Sequence, residues 1–349
     1  MSLLSPVLVL LVTLSMLFGA GASSHTTTSA ERAQDHEWSS DARIAATMPL
    51  ADTLAVADGE GLHLFSGDGW QTTDVAPPPG ELAMSEDDPA VLLAGDKADC
   101  MRGDPGDPLH RSDDGGKTWT PVNGDPEIQP LAIWEAEGLA IGASCTGLEI
   151  SEDGGLTWTV LPGIDPGWDV TSFAVVPQAG EAGPVVLAGL TGEGGTSNLH
   201  SIDLSDPGAP VVSDSLRMYY AIGGLAGAGN TYVLAAMDGT WLSHDSGATW
   251  TRSAEGLEDI VLDEDPAEAG LPEDVDPRMV GLTTLALMPD GGLMVGSADG
   301  LFSGWLFPSE WVKVEGTSGR VDQLAVSSDG SLALYRADDI VRAIPISAT

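Results

Sequence analysis

Positive charge is what this chain has least of. Only 13 Lys and Arg stand against 53 Asp and Glu, a formal net charge of −40 over 349 residues. Nucleic acid and anionic membranes are poor partners for such a chain, because both require a basic face to neutralise phosphate. Cysteine is limited to Cys100 and Cys145, which allows one bridge. The six His are scattered singly, and none forms a metal-type pair. After the first 24 residues no apolar run approaches the length of a membrane span. Disorder is excluded too, since 42% of residues are hydrophobic and only 19% are charged. The acidic surplus by itself suits salty surroundings, where self-repulsion is screened.

Residues 1–24 carry no charge, and an apolar run from Val7 to Phe18 leads into Gly19-Ala20-Gly21-Ala22. This pattern reads as a signal peptide over 1–22, cleaved after Ala22. No Cys follows the run, which argues against a lipoprotein anchor. The Ser/Thr-rich stretch 23–36 reads as a flexible lead-in, and 37–349 as a single domain. The expected location is secreted, or periplasmic and cell envelope.

What the chain has in abundance is repetition. An apolar-Ala-apolar column recurs at Ile44-Ala45-Ala46, Leu82-Ala83-Met84, Leu131-Ala132-Ile133, Phe173-Ala174-Val175, Leu225-Ala226-Gly227, Leu285-Ala286-Leu287 and Leu324-Ala325-Val326. The intervals run from 38 to 60 residues and average about 47, near the period of propeller blades. A second column follows each first one, from Leu54-Ala55-Val56 to Leu332-Ala333-Leu334. These runs are too short for helices and suit buried strands. The recurrent small residue suits blades that crowd towards an axis. The expected fold is all-β: a seven-bladed β-propeller of four-stranded antiparallel blades.

A third column follows the pattern S-x-D-x-G-x-T-W. It appears as Ser112, Asp114, Gly116 and Trp119; as Ser151, Asp153, Gly155 and Trp158; and as Ser243, Asp245, Gly247 and Trp250. Ser66 to Trp70 is a shortened copy. In such a turn the Asp accepts backbone N–H bonds, the second Gly takes φ > 0, and the Trp buries its ring. The Asp residues thus read as structural staples rather than as catalytic or calcium-binding groups. These motifs resemble the Asp-box (BNR) repeats of sialidases and related β-propellers. The resemblance implies that each box joins the third and fourth strands, on the face away from the ligand site.

The seventh repeat ends after three strands. His36-Glu37-Trp38-Ser39, with its Trp, is therefore expected to supply the missing outer strand and join the two ends of the ring.

Several features bear on function. Cys100 and Cys145 fall after the second strands of adjacent blades, so an exported chain is expected to pair them as a disulfide. The segment Glu255–Asp276 holds ten carboxylates and no basic residue, with Asp263 and Asp265 in its densest cluster. Oxygen ligands of that kind suit Ca²⁺, but no D-x-D-x-D-G loop is present and a solvated loop explains the run equally well. No other cofactor is expected. Trp168, at a blade junction, and Glu193, in the Gly-rich loop Thr191 to Ser197, are further candidate contacts.

The resemblance to sialidases also implies an arginine triad, a Tyr–Glu pair, an acidic proton donor and an F/Y-R-I-P motif. The nearest match to that motif is Ala42-Arg43-Ile44-Ala45, which lacks the aromatic and the Pro. None of Tyr219, Tyr220, Tyr232 and Tyr335 is convincingly paired with Arg and Glu. The scaffold resembles the family, and the chemistry does not carry over. In size and repeat style the chain is also similar to small Asp-box propellers akin to photosystem II assembly and stability factors, which bind protein partners on a loop face. The expected function is therefore a non-catalytic module presenting loops to an extracellular protein or glycan. A sialidase-like glycoside hydrolase is the alternative.

Overall fold

The computed structural model describes residues 36–38, 42–45, 52–66, 69–85, 87–98, 104–124, 126–164, 168–176, 184–192, 196–218, 222–228, 230–236, 239–253, 283–297, 300–305 and 310–346. These residues form seven four-stranded antiparallel sheets. The inner strands, blades 1 to 7 in order, are Arg43–Ile44, Glu81–Met84, Gln129–Trp134, Asp169–Val176, Ile222–Ala228, Thr284–Leu287 and Val321–Val326. They carry the first repeated column. The second strands carry the second column: Leu54–Ala57, Leu92–Gly95, Leu139–Ser144, Val185–Thr191, Thr231–Ala236, Leu293–Ser297 and Leu332–Ala337.

Why these segments are strands follows from their burial. Leu54–Ala57, Leu92–Gly95 and Leu139–Ser144 are buried at every position, so both faces of each sheet are covered. A sheet covered on both faces reads as a continuous apolar run instead of an alternating one. Small residues let consecutive sheets approach. A Cβ added to Gly224 of blade 5 would lie 3.1 Å from the Leu285 nitrogen of blade 6.

The core is divided by blade junctions. Seven hydrophobic clusters form, and each draws on two neighbouring blades. Leu62, Leu82, Met84 and Leu92, for example, join blades 1 and 2. A ring has as many junctions as blades only if it is closed.

Closure occurs in the seventh blade, whose strand order is His36–Glu37, Ile340–Pro345, Leu332–Ala337, Val321–Val326. His36 pairs with Ala343 and Glu37 with Arg342, and the Trp38 N–H donates to the Val341 carbonyl at 3.1 Å. Trp38 is buried among Ile44, Leu54, Leu334 and Val341, and meets Trp70 edge-on at 5.1 Å between ring centroids. As expected from the missing outer strand, the N-terminal segment completes the last blade.

Candidate functional site

Within each blade the inner strand leaves one face, the second strand returns to it, and the third leaves again. The third-to-fourth turn therefore lies on the face opposite the start of the inner strand. Three of those turns are Asp boxes, and their bonding is nearly identical. In blade 2 the Thr118 N–H donates to Asp114 Oδ1 at 2.8 Å and its hydroxyl donates to Oδ2 at 2.7 Å. Asp153 takes Thr157 at 2.8 and 2.7 Å, and Asp245 takes Thr249 at 2.8 and 2.5 Å. Ser112, Ser151 and Ser243 each donate to their box Asp and accept the N–H of Gly116, Gly155 and Gly247. The indole N–H groups of Trp119, Trp158 and Trp250 donate to the carbonyls of those same glycines.

These bonds favour the ionised carboxylate. Thr118 holds Asp114 below the ordinary carboxylate range, and Thr249 does the same for Asp245. At Asp153 burial pushes upward, but the bonds from Thr157 and Ser151 prevail. The box glycines have a second duty that sequence reading missed. Gly155 has φ +90°, and a Cβ there would come within 2.8 Å of Leu93 Cδ1 in the preceding blade. Gly116 and Gly247 sit in the same way against Leu62 and Leu187. The box is thus a blade-to-blade contact as well as a turn.

The other face is different. Inner strands of all seven blades line a central cavity of about 330 Å³. Its floor is the apolar-Ala-apolar column, and its mouth is set by the two residues before that column. The position immediately before it holds Arg43, Glu81, Pro130, Ser172, Gly224, Thr284 and Gln323 in blade order. Blades 3 to 6 place small or hydroxyl residues there, whereas blades 7, 1 and 2 place Gln, Arg and Glu. Register shifts leave Thr171, Gly223 and Asp322 unpaired, each two residues before its column. Such bulges re-aim side chains, and Thr171 and Asp322 both line the cavity.

Charge gathers on one side of this mouth. Burial pushes the Glu81 carboxyl above its ordinary range and Asp96 adds to the effect, against Arg43 and Arg336. Asp96 is raised by burial and by Asp107, despite accepting the Lys97 N–H at 2.8 Å. Asp322 is raised by burial, with Arg336 Nη1 at 3.9 Å opposing the shift. Arg336 also pairs with Asp339 at 3.0 Å, and Arg43 donates to the Pro78 carbonyl. Gln323 Oε1 accepts the Ile44 N–H at 3.2 Å, tying blade 7 to blade 1. Lys97 reaches across to Asp169 at the start of blade 4.

Ser172 Oγ and Arg336 Nε are buried here without a hydrogen-bond partner, whereas Glu81 is half-buried. No hydrogen-bond donor among the described residues reaches the Glu81 carboxyl. Buried polar groups are nearly always bonded, and those that are not ask for a ligand or water.

Trp168 is half-buried and packs on the core cluster of blades 3 and 4, where a Cβ on Gly192 would lie 2.7 Å from its ring. Glu193, Asp263, Asp265, Cys100, Tyr219 and Tyr220 lie outside the described residues, as does the whole acidic segment 255–276. Cys145 Sγ is 3.4 Å from the Ala98 carbonyl oxygen, against the blade 2 loop that continues to Cys100. Tyr232 and Tyr335 are core residues. The Tyr232 hydroxyl donates to the Val175 carbonyl at 2.9 Å, and burial pushes its pKa up to about 12. Among the described residues no cluster of three or more His, Cys, Asp or Glu is arranged to hold a metal ion. No helix among them is long and apolar enough to cross a membrane.

Comparison with known proteins agrees with the box geometry. The BNR/Asp-box repeat family model matches residues 110–121, the outer hairpin of blade 2. No curated protein matches the chain. Among solved structures it is similar to a GH74 enzyme from Niastella koreensis, with 14% identity, 84% of this chain and 62% of that chain covered, and a TM-score of 0.44. This chain therefore spans less than two thirds of that enzyme's length.

Proposed function

We propose that this seven-bladed Asp-box propeller is a non-catalytic, exported binding module. It engages an extracellular protein or glycan through the face on which the inner strands begin. The observation that carries this reading is the contrast in polar satisfaction. The box carboxylates are saturated by their own turns, whereas the Glu81 carboxyl lines the cavity and takes no hydrogen bond from a described residue. Unsatisfied polar groups converging on a cavity are the ordinary signature of a ligand site. Trp168, Glu193, Asp263 and Asp265 are further contacts on this reading; Ca²⁺ in the acidic segment is a separate proposal, and calorimetry that shows no heat and no shift in melting would end it. A Cys100–Cys145 bridge would brace the blade 2 loop beside the mouth. Thiol titration under denaturing, non-reducing conditions tests it, and two free thiols would remove it.

One observation favours the alternative, a sialidase-like glycoside hydrolase. Arg43, from the nearest match to that family's early motif, acts on the carboxyl of Glu81. Against it, Tyr232 and Tyr335 are locked in the core, and Arg111 is committed to Asp113 and Glu135 at 2.6 and 3.0 Å. The mature chain should be screened on fluorogenic sialosides and glycosides and on immobilised extracellular ligands, beside a Glu81→Gln/Asp322→Asn variant. Binding that disappears in the variant, with no turnover by the parent, supports the module. Turnover that disappears in the variant would replace it with the hydrolase.

A further inference from the structure

The charge at the channel mouth is unlike that of the rest of the molecule. The chain as a whole carries −40, yet four of its 13 basic side chains act on the mouth carboxyls: Arg43, Lys97, Arg320 and Arg336. They oppose six acids, Glu81, Asp96, Asp107, Asp169, Asp322 and Asp339. The local balance is modestly negative, far from the one-sided charge of the whole chain. An anionic group entering here would face Glu81 and Asp322 on the cavity wall. The guanidinium groups that would have to clamp it are already turned to the Pro78 carbonyl and to Asp322 and Asp339. A cationic ligand would compete with those same guanidiniums. The electrostatics therefore suit an uncharged ligand.

The chemistry of the lining narrows this further. The rim carries both acceptors and donors: the carboxyls of Glu81 and Asp322, the amide of Gln323, the hydroxyl of Thr284, and that of Thr171, which donates to the Gly189 carbonyl. Gln323 spends its oxygen on Ile44, which leaves its NH₂ to donate. Below the rim lies an apolar floor that includes Phe173, Leu285 and Leu324. A pyranose presents the complementary surface, with hydroxyls at its periphery and C–H groups on its faces. Size points the same way. At about 330 Å³ the cavity sits at the small end of the roughly 300–1,000 Å³ typical of ligand pockets. A protein partner would instead require a broad interface, about 800 Å² on each side.

We infer that the channel mouth seats the terminal residue of an uncharged glycan between Glu81 and Asp322 on one side and Thr284 on the other, and that it discriminates against sugars carrying a carboxylate. This rests on the proposal that the mouth-bearing face is the binding face. Glu81 and Asp322 accept from sugar hydroxyls and Gln323 donates to one. Arg43 is a positioning residue behind Glu81. Gly80, at φ +102° and with its Cβ direction blocked by Gly95, fixes where the Glu81 strand enters the mouth.

The test is a printed array of oligosaccharides ending in glucose, galactose or mannose, with matched members capped by sialic or glucuronic acid, followed by calorimetry on the full mature chain. Binding of an uncharged terminus is expected, at least tenfold weaker for the acid-capped counterpart. Glu81→Gln and Asp322→Asn should each weaken it at least tenfold while the melting temperature holds. Glu81→Gln keeps the side-chain volume, and a second variant, Thr284→Val, reports on the opposite rim should the first fail to fold. Equal binding of acid-capped sugars would overturn the discrimination. Sugar binding indifferent to all three substitutions would overturn the seat. If no glycan binds, the sugar assignment fails. The binding face itself survives in that case only if a protein ligand is captured and Glu81→Gln/Asp322→Asn releases it.

Discussion

The two faces of the ring use the same residue type in opposite ways. On the box face, Asp114, Asp153 and Asp245 are surface carboxylates wrapped in bonds from their own turns, and all three are held below the ordinary range. At the channel mouth, Glu81, Asp96 and Asp322 are more deeply set, sit among other charges, and are all raised. Backbone and hydroxyl donors placed within four residues of an Asp make a staple. Carboxyls from blades 7 and 2 are brought together only by closure of the ring. The box carboxylates differ from Glu81 and Asp322 in who donates to them: each box Asp takes a Thr N–H, a Thr hydroxyl and a Ser hydroxyl from its own turn.

Opening the ring should break both halves of the comparison at once. Trp38→Ala empties a buried position at the closure and is expected to cost about 3–5 kcal/mol, read by thermal and urea unfolding. Deleting 35–41 should do at least as much harm and abolish any mouth-dependent binding. Next in size is Gly155→Ala. It forces a left-handed residue and a contact with Leu93, at an expected cost of about 1–3 kcal/mol with the mouth unaffected.

The sharpest contrast is between Asp153→Ala and Glu81→Gln. Removing Asp153 strands Thr157 and Ser151, and is expected to cost about 1–2 kcal/mol after allowance for solvent screening. Glu81→Gln removes a charge that folding disfavours, so the melting temperature at neutral pH should stay level or rise. The pH dependence follows. Asp153 is lowered on folding, so its stabilisation is present above the unfolded carboxylate pKa and is lost as pH falls through the folded value. Glu81 is raised, so its destabilisation is present above the folded value and is relieved as pH falls through it. The smallest effect belongs to Ser172→Ala. Because the buried hydroxyl has no partner, stability should change by less than about 0.5 kcal/mol, and glycan affinity should hold.

Much of this architecture is legible in the sequence because a closed ring imposes the same demand on each blade. Every junction needs an apolar strand with a small residue in it, so Leu82-Ala83-Met84 and Leu324-Ala325-Val326 look alike. The Asp box is legible for a related reason: its bonds close within eight residues. Even the donated strand at His36–Glu37 follows from a missing strand and a spare Trp. The channel mouth is illegible by the same logic. Arg43, Glu81 and Asp322 occupy positions that differ from blade to blade, so no column marks them. They meet only because blade 7 closes on blade 1. The signal was available as the departure from Gly, Pro, Ser and Thr at the residue before the column, but it has meaning only once the axis is known. The inter-blade role of Gly155 was hidden too, since Leu93 lies in another repeat.

The central claim is that the faces differ in how their carboxyls are satisfied, and carboxyl-detected NMR titration of the intact chain addresses it directly. With Asp153 and Glu81 assigned by Asp153→Asn and Glu81→Gln, Asp153 should titrate below the ordinary carboxylate range and Glu81 above it. Glu81 titrating at or below the ordinary range would contradict the account, because the mouth would then be satisfied from within, as the boxes are.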